Sequence, residues 1–170
     1  QEKQVTLGDQ TFKLEEPFLV LATQNPIEHE GTYPLPEAQL DRFMMKIKVS
    51  YPDRDEERKI IDMYTKGKEK KTSAVITPKT LLSARETIQE LYIDEKVIEY
   101  ILDIVLATRT PENFGLKELK PFIAYGCSPR ASLALTTASK AHAFIKHRGY
   151  VIPEDITTNI HPVCAHRIVP

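Results

Sequence analysis

The sequence LATQNP at residues 21–26, followed after a short loop by LDRF at residues 40–43, decides how this chain is interpreted. The first stretch completes an apolar run over residues 18–22 and then turns abruptly polar. Such a run is typical of a strand buried on both faces of a parallel sheet, and open α/β sheets bind ligands at the carboxyl ends of their strands. We therefore predict a strand that delivers polar side chains to one half of a nucleotide site.

The other half of such a site, a phosphate-binding loop, is absent from this chain. The loop needs the spacing GxxxxGK(S/T), so that backbone N–H groups surround the phosphates while the lysine and the hydroxyl serve phosphate and magnesium. The single Gly-Lys pair, Gly67-Lys68, is followed by Glu69 and has Asp62 where the first glycine should be. The chain also begins at Gln1 without a start methionine, so we expect a piece of a longer protein.

The composition is that of an ordinary globular chain. Its 170 residues are 41% hydrophobic and 28% charged, and the formal net charge is -1. This balance offers no broad electrostatic attraction for nucleic acid or for an anionic membrane, so neither is expected as a partner. No apolar run is long enough to span a bilayer, and the polar opening lacks signal-peptide character. We expect a soluble, cytoplasmic protein without a membrane span.

The cysteines and histidines do not form a recognisable metal or redox motif. Cys127 and Cys164 are far apart and make no CxxC pair, so we expect reduced cysteines that serve packing. His161, Cys164 and His166 lie close together, but their spacing does not match a zinc pattern. We therefore predict no metal site.

The first part of the chain combines strand and helix patterns. Alternating polar and apolar residues on both sides of Gly8-Asp9 predict a β-hairpin with a tight turn. The other elements predicted here are a strand over residues 18–22, a short helix over 36–42, a strand over 44–49, a helix that begins at 51–53 and a solvated linker over 66–73.

The apolar spacing becomes helical after the linker, which indicates a change of fold class. From residue 77 onward apolar residues recur every three or four positions, as on the buried face of a helix. Helix starts are predicted at Thr77-Pro78, after Asp94, at Ser128-Pro129 and at Pro153. We therefore predict a small helical bundle over the rest of the chain.

Two residues of the opening motif are suited to phosphate chemistry, and each also has a simpler explanation. The neutral amide of Asn25 can hold a water molecule or contact a terminal phosphate, but an Asn-Pro pair also ends a strand. Arg42 carries a permanent charge that can stabilise a transferring phosphoryl group, as an arginine finger does. The same arginine also suits the end of a helix, with Asp41 as a surface partner.

Arg130 is a third candidate, because it follows a predicted helix start. Ser128 can cap the helix and Pro129 fits its first position, so Arg130 lies at the positive end of the helix dipole. A cation there costs about 0.3–1 kcal/mol unless an anion is present. The position therefore suits a phosphate, although an arginine paired with a carboxylate is an equally good interpretation.

Taken together, residues 18–43 closely resemble the MoxR family of AAA+ ATPases, and the resemblance continues through residues 51–52, 126–133 and 150–155. The resemblance implies an α/β fragment of a P-loop AAA+ core over residues 1–70, with a β-hairpin, parallel-sheet strands and helices. It implies an all-α helical-bundle lid over residues 71–170. The Walker A and Walker B segments of the family are absent from this chain.

The resemblance also implies roles for the three candidates. Asn25 would be the sensor-1 residue, Arg42 the arginine finger that acts in trans on a neighbouring subunit's nucleotide, and Arg130 the sensor-2 arginine, acting in cis or in trans. The full-length protein would bind ATP and Mg²⁺ and hydrolyse ATP, whereas this chain alone is expected to bind neither and to be inactive.

The resemblance further implies a ring of subunits, expected to be hexameric, that remodels or matures client or adaptor proteins in a chaperone-like manner. Von Willebrand factor A domain proteins are the partners that it suggests. A second hypothesis remains open, in which the chain is a non-catalytic helical adaptor that binds proteins and no nucleotide. A phosphate-binding loop upstream, followed by an acidic strand end, would favour the ATPase.

Overall fold

The computed structural model describes residues 4–24, 35–67 and 72–170. Within them the chain forms a β-hairpin and a series of helices. The helices are α1 Glu37–Leu40, α2 Arg54–Thr65, α3 Pro78–Glu90, α4 Glu95–Ala107, α5 Pro129–Ile145 and α6 Pro153–Cys164, with two short 3-10 helices, Pro111–Phe114 and Lys117–Phe122, between α4 and α5.

The hairpin forms where the alternating pattern predicts it. Strands β1 Gln4–Leu7 and β2 Gln10–Lys13 pair antiparallel, with Leu7 opposite Gln10, so that Gly8 and Asp9 form the two-residue turn. Gly8 has a φ of 60°, a conformation that residues with a Cβ adopt reluctantly. This prediction is confirmed.

The helix starts also match the sequence, because short polar side chains satisfy the first free backbone N–H groups of a helix. Asp53 and Glu56 form a reciprocal capping box at α2, with the Glu56 N–H donating to Asp53 Oδ1 at 2.8 Å and the Asp53 N–H donating to Glu56 Oε2 at 3.1 Å. The side chains at three further predicted starts also accept backbone N–H hydrogen bonds: Thr77 at α3, Asp94 at α4 and Ser128 at α5.

Helix α5 is the centre of the helical part, since it packs against α3, α4 and α6. Its apolar face joins the inner faces of α4 and α6 in one hydrophobic cluster. The largest side chains that are fully buried in this cluster are Ile101, Val105, Leu135, Ile156 and Val163. The predicted helical bundle is therefore confirmed, and the cysteines are free and buried within it, as expected.

The strands predicted over residues 18–22 and 44–49 are wrong for this structure. Neither stretch is assigned as a strand, and Leu19 and Leu21 are 80% and 82% exposed. A strand needs neighbouring strands to accept and donate its backbone hydrogen bonds, and in the described part of the chain β1 and β2 pair only with each other. Most side chains of the two apolar stretches are exposed, and only Phe18 and Met45 are partly buried.

The short helix predicted over residues 36–42 is a single turn that ends at Leu40. Asp41 closes it with backbone N–H bonds to Glu37 and Gln39, and Arg42 lies in the turn that follows. Arg42 is therefore presented by a turn rather than by the last residues of a helix. The domain boundary near residue 70 stays a prediction.

Candidate functional site

The turn over residues 41–46 lies against the end of the helical bundle. The Lys46 N–H donates to the Pro162 carbonyl at 2.8 Å, and Met45 packs against the hydrophobic cluster. His166, which follows α6, contacts the same turn, with Nε2 donating to the Phe43 carbonyl at 3.1 Å. The LDRF motif is thereby brought next to residues that follow it by more than a hundred positions.

The Asp41 carboxylate is the centre of a polar cluster between this turn and α5. Ser128 Oγ lies 2.8 Å from each carboxylate oxygen, Arg130 Nη1 lies 3.1 Å from Oδ2, and Arg167 Nε lies 3.1 Å from Oδ1. Partial burial by itself raises the pKa of Asp41, but the donors Ser128, Arg130 and Arg167 outweigh it and hold that pKa below its ordinary value. Asp41 is therefore a carboxylate at neutral pH.

Asp41 supplies the anion that the start of α5 favours. Ser128 caps the helix by accepting the Arg130 N–H at 3.2 Å, and Pro129 occupies the first position, as predicted. The sequence left open whether the anion near Arg130 is a phosphate or a carboxylate, and in this structure it is the carboxylate of Asp41. The Arg130 side chain is nevertheless 51% exposed, so its outer edge faces solvent.

Arg167 is the residue of this cluster that sequence reasoning missed. Its side chain is only 2% exposed, and it donates to the backbone of the turn as well as to Asp41. The available signal was an arginine inside the apolar end of the chain, next to Ile168 and Val169. An arginine in such surroundings is buried only when it is paired, so it indicates an acidic partner elsewhere.

The structure brings two of the three predicted site residues together. Arg42 and Arg130 line one open cleft of about 220 Å³. Three arginines and one aspartate give this cleft an excess of positive charge. The complete lining is Asp41, Arg42, Met44, Arg130, Leu133, Ala134, Thr137 and Arg167. Asn25, the sensor-1 candidate, lies outside the described residues.

The histidines and cysteine near the end of the chain are placed in different surroundings. Cys164 is buried in the hydrophobic cluster, whereas His161 is exposed. Burial, followed by the nearby charge of Arg167, lowers the pKa of His166, so this ring is neutral at pH 7. Among residues 4–24, 35–67 and 72–170, no cluster of three or more histidine, cysteine, aspartate or glutamate residues is arranged to hold a metal ion.

Comparison with known proteins identifies the class of this fold. Residues 1–45 match the family model described as "ATPase family associated with various cellular activities (AAA)", and residues 117–170 match the model "AAA lid domain". A crystal structure of a putative ATPase from Cytophaga hutchinsonii superposes with a TM-score of 0.93 at 44% identity, over 99% of this chain and 51% of that chain. The fold is thus that of an AAA+ ATPase core fragment followed by a helical lid.

The relatives narrow this class to one family. The chain is 44% identical over 170 residues to "Chaperone MoxR1" of Mycobacterium tuberculosis, covering 99% of this chain and 45% of the relative. It is 41% identical over 157 residues to "Uncharacterized protein YeaC" of Bacillus subtilis, covering 92% and 46%, and 30% identical over 162 residues to "Protein MoxR" of Paracoccus denitrificans, covering 88% and 47%. The chain belongs to the MoxR family of AAA+ ATPases, and it spans about half the length of these curated relatives.

Within the described residues, no helix is both long enough and apolar enough to cross a bilayer.

Proposed function

We propose that this chain is part of a MoxR-type AAA+ ATPase and that it supplies two arginines, Arg42 and Arg130, to the nucleotide of a neighbouring subunit in a ring. The observation that carries the proposal is that both arginines line one cleft with excess positive charge. The planar guanidinium group presents paired donors that match phosphate oxygens. Two such groups in one cleft are suited to one phosphate chain.

The common cleft also bears on which nucleotide Arg130 serves. In the proposal Arg42 acts in trans, as the family resemblance implies for an arginine finger. Because Arg130 lines the same cleft as Arg42, it serves the same nucleotide and therefore also acts in trans. Asp41 already occupies the start of α5, so the phosphate is met by the two guanidinium groups rather than by the backbone N–H groups of that helix.

ATP and Mg²⁺ fit this chain to different degrees. The cationic cleft fits the phosphate end of ATP, where guanidinium groups stabilise the charge that develops during phosphoryl transfer. Mg²⁺ favours oxygen ligands, and the single carboxylate of the cleft, Asp41, already accepts from Ser128, Arg130 and Arg167. The residues that hold Mg²⁺, which neutralises phosphate charge when bound, are therefore expected in the segments that this chain does not contain.

The cellular role is proposed from the relatives. "Chaperone MoxR1" is 44% identical to this chain, so we propose chaperone-like remodelling or maturation of client proteins, driven by ATP hydrolysis. A hexameric ring and partners with von Willebrand factor A domains are included in the proposal on the family resemblance.

The test uses the full-length protein, in which we expect the phosphate-binding loop that this chain lacks. We expect Arg42→Ala to lower kcat for ATP hydrolysis by about 10³-fold or more while ATP binding survives, because an arginine finger acts on the transition state. Arg42→Lys is the matched control for charge, and it should recover little activity because lysine lacks the planar fork. Normal hydrolysis by Arg42→Ala would contradict the assignment.

Mixed rings test whether the arginines act in trans. Subunits with Arg130→Ala are combined with subunits that cannot bind nucleotide because their phosphate-binding loop is altered. If Arg130 acts in trans, the nucleotide-free subunit donates its intact arginines to the neighbour and activity returns. If Arg130 acts in cis, mixing restores nothing. A full-length protein that neither binds nor hydrolyses ATP would instead favour the helical adaptor.

A further inference from the structure

We propose that Arg167 is a positioning residue that, through Asp41, sets the arrangement of Arg42 and Arg130 in the cleft. This inference rests on the proposed function, because it assigns a role to the cluster that surrounds the two arginines. Arg167 lies outside the motif at residues 18–43 and follows the end of α6.

Arg167 has no donor left for a phosphate. A guanidinium group has five N–H donors, and Arg167 makes five hydrogen bonds within the described residues. Its side chain is also only 2% exposed. Although Arg167 lines the cleft, it is therefore a structural neighbour of the proposed nucleotide site rather than a ligand.

The acceptors of Arg167 lie on both sides of Arg42 along the chain. Four of the five bonds go to the turn, namely to the Asp41 carboxylate and to the carbonyls of Asp41, Phe43 and Met44. The fifth goes to the Val163 carbonyl of α6. One planar side chain thus ties the backbone before and after Arg42 to the last turn of α6.

Asp41 extends this arrangement to the second arginine. Its carboxylate is held by Arg167 Nε at 3.1 Å and in turn accepts from Ser128 Oγ and Arg130 Nη1 at the start of α5. The positions of both arginines therefore depend on Asp41, because Arg42 is its neighbour in the chain and Arg130 contacts its carboxylate. If the carboxylate moves, the distance between Arg42 and Arg130 changes.

Lysine does not replace Arg167 in this role. Its ammonium group is compact and has three donors, so it preserves the charge but not the five bonds with their fixed directions. Displacements of about 1 Å near a reacting group can lower the rate by ~10²-fold. Arg167→Lys is thus a substitution that separates a requirement for geometry from a requirement for charge.

The experiment measures ATP hydrolysis and ATP binding by the full-length protein with Arg167→Lys. We expect kcat to fall by about 10-fold to 100-fold while the Kd for ATP changes less than about 3-fold, since the residue acts on placement within the transition state. In an Arg42→Ala background, Arg167→Lys should lower kcat by a smaller factor than in the unsubstituted protein, because only the placement of Arg130 is left to be disturbed. A general loss of folding would lower both values and would add to the Arg42→Ala effect.

Arg148→Lys is the matched control. Arg148 is also an arginine paired with an aspartate in the helical part, but its contacts are with Asp155 and the Tyr150 carbonyl, away from the turn. We expect its kcat to stay within about 3-fold of the unsubstituted protein at temperatures well below unfolding, in contrast to the ~10²-fold effects of misplaced catalytic groups. An equal loss of kcat in Arg148→Lys and Arg167→Lys would overturn the proposal.

A double-mutant cycle, measured by urea unfolding of the 170-residue chain, tests the contact between Asp41 and Arg167 even if the ATPase proposal fails. Asp41→Asn and Arg167→Lys should each lower the urea midpoint, and the double substitution should lower it by less than the sum of the two shifts. Additive shifts would show that the two residues are not coupled. A full-length protein without ATPase activity, combined with non-additive shifts, would refute the proposed function and leave the positioning contact in place without a catalytic role.

Discussion

Two carboxylates of this chain illustrate how differently its two regions are held together. Asp155 is fully buried in the helical part, and its partners Arg148, His142 and the Ile152 N–H lie at most 13 positions away in sequence. Asp41 lies in the turn before the helical part, and its side-chain partners are 87 to 126 positions away. The first carboxylate stabilises the helical part from within, whereas the second joins the turn to it.

The burial of the two regions follows the same division. None of the described residues before Leu91 is buried, whereas the hydrophobic cluster extends from Leu91 to Cys164. The helical part can therefore be stabilised by its own apolar contacts. The turn that carries Arg42 depends on polar contacts across a long sequence distance, so stability and site geometry should respond to different substitutions.

The largest expected effect is on the stability of the helical part. Asp155→Ala should lower the free energy of unfolding by about 3–5 kcal/mol, because it leaves the Arg148 guanidinium and the Ile152 N–H without their buried partner. Urea unfolding followed by circular dichroism measures this loss. A decrease below about 1 kcal/mol, the size of an exposed ion pair, would show that the Asp155 cluster does not stabilise the fold.

Lowering the pH should remove the stabilising contribution of the same carboxylate, Asp155, in the unsubstituted chain. Burial alone raises the pKa of Asp155, but Arg148, the Ile152 N–H and His142 bring it to about 2. The folded pKa is below the unfolded value, so the stabilisation is present above about pH 4 and is lost as pH falls toward 2. About 2–3 kcal/mol should be lost, and Asp155→Asn should show a flatter stability profile over this range.

Asp41→Asn should have a smaller effect on stability and a larger one on the site. We expect a loss of about 1–2 kcal/mol in the free energy of unfolding, since Asp41 is partly exposed and Ser128 keeps an acceptor in the amide. Hydrogen exchange of amides in α5 and α6 should change little beyond the first turn of α5. Deprotection throughout both helices would contradict the separation of the two regions.

A weaker pH dependence is expected from His166, which contacts the turn. Burial lowers the pKa of His166, so the folded chain favours the neutral ring. A folded pKa below the unfolded value of about 6.5 means that stability decreases as pH falls below that value. His166→Gln should reduce the slope of stability between about pH 6.5 and pH 5. An unchanged slope would assign that dependence to other groups.

No effect is expected when ATP is added to this chain alone. Isothermal titration calorimetry with ATP and Mg²⁺ should give no measurable binding, because the chain contains no phosphate-binding loop. Micromolar binding that requires Mg²⁺ would contradict the conclusion that the turn and α5 form only one half of a site.

Local features of this fold could be predicted because their causes lie within a few residues. The hairpin follows from alternation around Gly8-Asp9, and the starts of α2 and α5 follow from Asp53 and Ser128 as caps. The prediction for residues 18–22 was wrong because a buried strand depends on neighbours, which local sequence does not supply.

The candidate site was predictable only in part. The residue types and the family motif predicted Arg42 and Arg130 as site residues, which stays a prediction, and the sequence also raised the pairing of Arg130 with a carboxylate as an alternative. The role of Arg167 was not predictable, because its five acceptors lie in α6 and in a turn far away along the chain. A lone arginine in an apolar stretch indicates that a partner exists without identifying it.

The sequence by itself determined the family, the helix and hairpin starts, and the two arginines suited to phosphate. These depend on short-range hydrogen bonds, on backbone preferences and on a motif with fixed spacing. Only the tertiary structure decided that Arg42 and Arg130 line one cleft and that Asp41 and Arg167 connect them. The physical reason is that buried guanidinium and carboxylate groups need complete sets of partners, and the packing of distant segments brings those partners together.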